Sequence, residues 1–180
     1  MKNRAVFIDR DGTINTLVEY LDNPEQFVLI EGSAEAIKLL NINKYKVVVV
    51  TNQSGLGRGF FSEATLEKIN DEFYSQLSEM GAEIDGFYYC PHKPEDGCSC
   101  RKPRTGLLEK ASKDLSIDPL KSFMIGDRLS DIQAGVRFGC KPILVLTGYG
   151  ESELSKVKKS LSESISVASN LLEAVEKTII

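Results

Sequence analysis

Near its start the chain reads Ala5-Val6-Phe7-Ile8 and then Asp9-Arg10-Asp11-Gly12-Thr13. Four apolar residues in a row indicate a short buried strand, and the two acids follow at its carboxyl end. Open parallel sheets bind their ligands outside the carboxyl ends of the strands. A sharp turn at Gly12 would bring Asp9 and Asp11 to one pocket or one metal ion. The alternative is an acidic turn that faces solvent.

Length and composition limit the classes of protein to which this chain can belong. The chain has 180 residues, enough to bury a sizeable core, and we expect one domain over residues 1–180. With 26 acidic against 22 basic residues, it lacks the basic excess of proteins that bind nucleic acid. It shows no apolar stretch of transmembrane length and no signal-peptide pattern, so we expect a cytoplasmic protein with no membrane partner. We also expect a monomer.

Short apolar runs alternate along the chain with longer segments of helical spacing. The runs predict strands at Ala5–Ile8, Val47–Val50, Phe87–Tyr89, Phe123–Ile125 and Ile143–Leu146. The longer segments predict helices at Ala34–Leu40, Glu63–Met80, Leu107–Leu115, Asp131–Phe138 and Asn170–Thr178. This alternation is typical of a three-layer α/β fold, in which a mainly parallel, Rossmann-like sheet carries helices on both faces. No segment between the motifs is long enough for a separate cap domain.

Residues at the ends of the predicted helices agree with this interpretation. Ser62 and Ser169 are predicted N-caps. Gly81 and Gly139 follow the last residues of helical spacing, where glycine is favoured. The stretch Glu151–Ser166 is rich in Ser, Lys and Glu, and it predicts a solvated helix and loop.

Polar residues also follow two further predicted strands. The second strand runs into Thr51-Asn52-Gln53-Ser54-Gly55, a turn that can present backbone N–H groups to an anion. The fourth strand runs into Gly126-Asp127-Arg128-Leu129-Ser130-Asp131, which adds two more carboxylates at the same edge of the sheet. Such oxygen-rich clusters suit Mg²⁺, which leaves room for water and phosphate oxygens. Each segment alone also has a structural interpretation, because Asp, Asn, Ser and Gly are the usual turn residues.

Phosphoryl transfer needs positive charge as well as a metal, and Arg101-Lys102-Pro103 supplies it. The pair leads towards the predicted helix at Leu107, so Lys102 can lie at the wall of the pocket. A basic pair before a helix is usually a surface feature. Only the neighbouring motifs favour the functional interpretation.

Four soft ligands lie close together at Cys90, His92, Cys98 and Cys100, in the pattern CxHx5CxC. In a reducing compartment cysteines favour metal binding, reactivity or burial over a disulfide framework. Four ligands without an open position predict a structural Zn²⁺ site over residues 90–100, the zinc loop. A reactive cysteine and a chance cluster of unliganded thiols are the alternatives. Because the loop ends at Arg101-Lys102, zinc would fix the cationic wall of the pocket.

Together these motifs resemble the haloacid dehalogenase-like phosphohydrolases. The resemblance rests on DRDGT from Asp9, TNQSG from Thr51, Lys102 within RKP, and GDRLSD from Gly126. It covers nearly the whole chain in the family's order. It implies a phosphoric monoester hydrolase that uses Mg²⁺ and forms an aspartyl-phosphate.

The resemblance also implies a role for each motif residue. Asp9 would be the nucleophile, and Asp11 would protonate the leaving oxygen and then activate water. Thr51 and Lys102 would hold the phosphoryl group, and Asn52 and Gln53 would also bind substrate or phosphate. Mg²⁺ would be bound by Asp9, the Asp11 backbone carbonyl and Asp127, with Asp131 nearby or bound through water.

The zinc loop narrows the resemblance to the branch of histidinol-phosphate and heptose-bisphosphate phosphatases. A small phosphorylated sugar with two phosphates is the favoured substrate, because Arg58 and Arg101 are candidates for a second anion site, with Gln53 as a hydroxyl or phosphate partner. For each of these three an ordinary surface role stays open. Histidinol phosphate is the main alternative. A polynucleotide 3′-phosphatase and an inactive, zinc-stapled interaction module are further alternatives.

Overall fold

A six-stranded parallel sheet forms the middle layer of the protein. The computed structural model describes residues 2–161 and 165–180. The strands are β1 (Ala5–Ile8), β2 (Lys46–Asn52), β3 (Gly86–Cys90), β4 (Phe123–Gly126), β5 (Lys141–Val145) and β6 (Ser166–Ala168). They lie in the order β3-β2-β1-β4-β5-β6, and each neighbouring pair is parallel. The carboxyl ends of β2, β1 and β4 therefore lie side by side.

Helices cover both faces of this sheet. They are α1 (Ser33–Ile42), α2 (Ser54–Arg58), α3 (Glu63–Glu79), α4 (Gly106–Asp114), α5 (Leu129–Phe138), α6 (Gly150–Ser160) and α7 (Leu171–Ala174), and a π-helical turn (Val175–Ile179) extends α7. One core joins the sheet to α1, α3 and α7, and a second core on the opposite face joins it to α4 and α5. The predicted three-layer α/β fold is confirmed.

Side chains of alternate residues in β1 enter different cores, as the period of a strand requires. Val6 and Ile8 pack in the first core, whereas Ala5 and Phe7 pack in the second. All four are fully buried, so β1 is hydrophobic throughout because both of its faces are covered. This central position places the residues that follow Ile8 in the middle of the sheet edge.

The five predicted strands and five predicted helices are present, with shifted ends. Ser62 caps α3, because its side chain accepts a hydrogen bond from Thr65 N at 3.2 Å. The prediction of Ser169 as a cap is wrong, since the Asn170 side chain accepts from Glu173 N at 2.9 Å. Gly81 and Gly139 have left-handed φ values of 70° and 88°, which confirms their positions at helix ends.

The segment after β5 agrees only in part with its prediction. The helical part of Glu151–Ser166 corresponds to α6, but Ser166 belongs to β6, which the sequence did not predict. Residues 162–164 of this stretch lie outside the described residues. Of the described helices, none combines the length and the apolar character that a membrane span requires.

Candidate active site

The carboxyl ends of β1 and β2 open into a cleft of about 550 Å³. Its charged lining residues are Asp9, Asp11, Glu19, Arg58, Arg101, Lys102, Arg128 and Asp131. Asp9 and Asp11 both reach it because the chain turns at Gly12, which has a left-handed φ of 83°. Thr51, the sixth residue of β2, lies in the same lining. The structure thus brings four of the sequence motifs to one cleft, since Arg101-Lys102 and the segment after β4 also contribute lining residues.

Lys102 is a buried cation at the floor of this cleft, only 3% exposed. Its Nζ lies 2.9 Å from Asp9 Oδ1 and 2.7 Å from Asp131 Oδ1, and it donates to Val50 O at 2.7 Å. Burial lowers the pKa of Lys102, but the charges of Asp131 and Asp9 outweigh it and hold the pKa above its usual value. Lys102 is therefore a permanent positive charge beside Asp9.

Asn52 fixes the backbone of Lys102. Its side-chain Nδ2 donates to Lys102 O at 3.2 Å, and its Oδ1 accepts from Lys102 N at 3.1 Å. Because both bonds involve the backbone, they hold the lysine against the end of β2 and leave its ammonium free to pair with the acids. The sequence predicted Asn52 as a phosphate ligand, whereas its side chain is engaged here with the segment that carries Lys102.

Asp9, Asp127 and Asp131 form an acidic cluster in which carboxylate oxygens lie within 4.8 Å of one another. Asp127 Oδ2 accepts from Tyr149 N at 2.8 Å, whereas its Oδ1 is buried without a hydrogen-bond partner. Burial, followed by the charges of Asp9 and Asp131, raises the pKa of Asp127 to about 8. A buried carboxylate oxygen without a donor is what a bound cation would satisfy, so the cluster fits Mg²⁺.

Asp11 is held by donors on three side chains. The Arg10 guanidinium reaches both carboxylate oxygens, at 3.0 Å and 2.9 Å. Asn15 Nδ2 donates at 3.0 Å and Gln53 Nε2 at 2.8 Å. Burial raises the pKa of Asp11, but the charge of Arg10 and these hydrogen bonds outweigh it and lower the pKa below its usual value. Gln53 also donates to Thr51 Oγ1 at 2.9 Å, which links Asp11 to Thr51.

The four predicted zinc ligands form one cluster at the end of β3. The sulfur atoms of Cys90, Cys98 and Cys100 lie 3.1 to 3.5 Å apart, and His92 Nδ1 lies 3.3 Å from the sulfur of Cys100. A tetrahedron with Zn–S bonds of about 2.3 Å has edges of roughly 3.8 Å. The donor types and their spacing therefore fit Zn²⁺.

Three arginines surround the outer part of the cleft. Arg58, at the end of α2, lies 3.9 Å from Glu95 Oε2, and Arg101 donates to His92 O at 3.2 Å. Both contacts join the cleft wall to the zinc loop. Arg128 stacks on the ring of Tyr149, with its guanidinium carbon 3.9 Å from the ring centre.

Comparison with known proteins gives the family. A family model described as HAD-hydrolase-like matches residues 99–174. A curated relative from Haemophilus ducreyi is named D-glycero-beta-D-manno-heptose-1,7-bisphosphate 7-phosphatase and is 42% identical over 178 residues, covering 92% of this chain and 98% of the relative. The chain belongs to the heptose-bisphosphate 7-phosphatase family. A relative of the same name from Pasteurella multocida is 40% identical and covers 96% of this chain and 98% of its own.

A crystal structure from the heptose-bisphosphate 7-phosphatase family has the same fold. It is D,D-heptose 1.7-bisphosphate phosphatase from B. bronchiseptica, complexed with magnesium and phosphate. It is 37% identical to this chain, covers 96% of each chain and superposes with a TM-score of 0.91. The resemblance to haloacid dehalogenase-like phosphohydrolases and their heptose-bisphosphate branch is confirmed.

Arg128 and Tyr149 are among the lining residues of the cleft that sequence reasoning did not assign to the site. Arg128 directly follows Asp127, so its position next to an acid at the end of a strand is the sequence signal that could have identified it. Tyr149 lies beyond β5, and only the fold brings it against Arg128. The role of each predicted site residue stays a prediction.

Proposed function

We propose that the protein is a Mg²⁺-dependent phosphatase that removes the 7-phosphate of D-glycero-D-manno-heptose 1,7-bisphosphate. The observation that carries the chemistry is the placement of Lys102 between Asp9 and Asp131, which form one acidic cluster with Asp127 and its unpartnered oxygen. The substrate is inferred from the names of the relatives. We keep the predictions of one domain over 1–180, a monomer and a cytoplasmic location.

The proposed reaction has two steps. A carboxylate oxygen of Asp9 attacks phosphorus, the bond between phosphorus and the sugar oxygen breaks, and Asp11, in its protonated form, gives its proton to that oxygen. Water then attacks the phosphorus of the aspartyl-phosphate, and its proton passes to Asp11 as Asp9 and inorganic phosphate are released. Asp9 is buried but borders the cleft, and Asp11 is only partly buried, so both are accessible to a phosphate there.

The surrounding residues would bind and orient the phosphoryl group. Thr51 and Lys102 supply a hydroxyl and an ammonium at the cleft floor, and Asn52 fixes the lysine. Gln53 would align Asp11 with Thr51, and its amide could also reach a substrate hydroxyl. Mg²⁺, when bound by Asp9, the Asp11 carbonyl and Asp127, with Asp131 adjacent, supplies charge that offsets the phosphoryl oxygens.

The charge of the outer cleft supports a substrate with a second phosphate. Among the described lining residues, Arg58, Arg101 and Arg128 lie outside the acidic cluster, and Glu19 is the lining acid other than Asp9, Asp11 and Asp131. Glu95 pairs with Arg58 instead of lining the cleft. An arginine-rich wall attracts a phosphate and repels the ammonium of histidinol phosphate, and the curated relatives likewise do not favour the histidinol alternative.

We further propose that the zinc loop binds a structural Zn²⁺ through Cys90, His92, Cys98 and Cys100. A structural zinc contributes on the order of 10 kcal/mol to the order of its loop at neutral pH. The loop leads directly into Arg101 and Lys102, so the metal would set the position of the cationic wall. An inactive interaction module would have no need of Asp9, Asp127 and Lys102 in this arrangement.

A comparison of substrates tests the proposal. We expect the heptose 1,7-bisphosphate to have a higher kcat/KM than histidinol phosphate or a 3′-phosphorylated oligonucleotide. A clearly higher kcat/KM for histidinol phosphate would overturn the proposed substrate and leave the proposed reaction mechanism intact. No Mg²⁺-dependent release of phosphate from any of the three would overturn the enzymatic function.

A further inference from the structure

Arg10 is a fully buried arginine in the first motif, between Asp9 and Asp11. Its Nε donates to Asp11 Oδ1 at 3.2 Å, and one terminal nitrogen donates to both oxygens of Asp11, at 3.0 Å and 2.9 Å. The other terminal nitrogen lies 3.5 Å from Asn70 Oδ1 of α3. The side chain therefore lies between Asp11 and α3, and most of its hydrogen bonds go to one carboxylate.

Such an arrangement needs a reason, because a buried guanidinium keeps its charge and requires a partner. A planar guanidinium that touches both oxygens fixes the plane of a carboxylate as well as its position. Arg10 does not occur among the described residues that line the cleft, whereas Asp11 does. Any effect of Arg10 on substrate must therefore pass through Asp11.

Two further donors agree with this role. Asn15 reaches Asp11 Oδ1, and Gln53 reaches Asp11 Oδ2 from the end of β2. Asn15 is fully buried and Gln53 nearly so. Asp11 is thus held by side chains from the turn after β1 and from the end of β2. Among these donors, Arg10 contacts both carboxylate oxygens.

We propose that Arg10 is a positioning residue that aims the carboxyl group of Asp11 at the oxygen leaving the phosphorus. The proposal rests on the proposed function, in which Asp11 gives a proton to that oxygen. It distinguishes Arg10 from a residue that only stabilises the fold. If the acid is displaced, the rate for each substrate should fall according to how much its leaving group needs a proton. If folded protein is lost, the rates for all substrates should fall equally.

The test compares two leaving groups. A sugar alkoxide is a poor leaving group that needs the proton of Asp11, whereas p-nitrophenolate leaves without it. For Arg10→Lys we expect kcat/KM for the heptose bisphosphate to fall about 10- to 100-fold, the range of a misplaced general acid. For p-nitrophenyl phosphate we expect kcat/KM to change by less than about threefold, because this leaving group needs no general acid. Arg4→Lys, at the amino end of β1, is the control and should leave both values unchanged.

A second readout is the aspartyl-phosphate itself. Because Asp11 also takes the proton of the attacking water, hydrolysis of the aspartyl-phosphate should slow in Arg10→Lys. With p-nitrophenyl phosphate this variant should show a burst of nitrophenolate followed by a slower steady state. In an Asp11→Asn background the Arg10 change should have no further effect, since both act at one group.

The outcomes are distinguishable. Equal losses for both substrates, or full additivity with Asp11→Asn, would overturn the positioning role. If Asp11→Asn itself shows no dependence on the leaving group, the acid role in the proposed function fails, and the proposal for Arg10 fails with it. If Arg10→Lys does not fold, Arg10→Gln replaces it; unfolding of both variants would assign the guanidinium to the fold and overturn the proposal.

Discussion

Lys102 Nζ lies 2.9 Å from Asp9 Oδ1, and both side chains are buried where β1 and β2 end. Burial raises the pKa of Asp9 to about 6, an effect that the charge of Lys102 partly offsets. At neutral pH most of Asp9 is therefore an ionised carboxylate. The same ammonium is within reach of a phosphate oxygen, so one cation can serve both the nucleophile and the group that it attacks.

Asp9→Asn should lower kcat by at least about a thousandfold, because an amide keeps the shape of the side chain but cannot attack phosphorus. The fold should be unchanged by circular dichroism, and substrate should still bind. Phosphoenzyme should be trapped with the unaltered protein and not with the variant. Asp114→Asn, on the exposed face of α4, is the control; near-normal turnover by Asp9→Asn would exclude the covalent route.

Gly148→Ala should weaken Mg²⁺ binding by about tenfold or more, as expected for a displaced metal ligand or its support. A Cβ at this position would overlap with Asp127 Oδ2. Gly59→Ala is a matched control, because Gly59 also has a left-handed φ, of 74°, but nothing lies within 4 Å of its added Cβ. Isothermal titration calorimetry measures both affinities. Equal weakening in the two variants would point to backbone strain instead of contact with Asp127.

Mg²⁺ affinity should depend on pH through Asp127. The pKa of this carboxyl is raised from 3.8 to about 8, so the metal-free protein holds a proton there at neutral pH, and Mg²⁺ must displace it. Affinity should rise with pH up to about pH 8, with release of a proton, and level off above it, and the metal-free protein should lose stability between about pH 4 and about pH 8. Calorimetry in buffers of different ionisation enthalpy measures the proton. An affinity that is flat over this range would contradict the prediction.

Cys98→Ser should reduce zinc content below one ion per chain and lower both the melting temperature and kcat/KM. Cys98 is not one of the described residues that line the cleft, so the loss of activity would act through the position of Arg101 and Lys102. The remaining cysteine, Cys140, is buried outside the loop, and Cys140→Ala should keep its zinc. Elemental analysis of protein expressed with added zinc decides the matter: zinc-free, active protein would refute the structural site.

Arg58→Ala and Arg101→Ala should each shrink the preference for a bisphosphate over the corresponding monophosphate. Charge-assisted contacts are worth roughly 1.5–3 kcal/mol, which corresponds to about one to two powers of ten in that ratio. The ratio of kcat/KM values for the two sugars is the measurement, with Arg4→Ala as a control far from the cleft. If the ratio is unchanged in both variants, neither arginine binds the second phosphate.

Much of the site could be predicted because of one rule, that parallel strands end at the same edge of the sheet. Asp9, Thr51 and Asp127 each follow or end a strongly apolar run, so their convergence required only the correct strand polarity. The bonding of Asn52 and Gln53 could not be predicted in the same way. Their amides bind Lys102 and Asp11, and those partners are fixed by tertiary distances that sequence spacing does not encode.

The missed elements have little local signal. β6 has exposed Ser166 and Val167 and a buried Ala168, so its pairing with β5 decides its conformation more than any apolar run. α2 contains Gly55 and Gly57, which disfavour a helix on propensity alone. A Cβ at Gly57 would meet Pro91 O at 2.6 Å, so this short helix is shaped by its close approach to the zinc loop.

The order of the strands also has a consequence for how activity is acquired as the chain folds. β1 pairs with β2 on one side and with β4 on the other, so its neighbours in the sheet are far from it in sequence. Such non-local pairing forms slowly, because the intervening chain must first be ordered. No partly folded intermediate that lacks β4 can place Asp127 beside Asp9, so catalytic competence should emerge only after β4 has paired with β1.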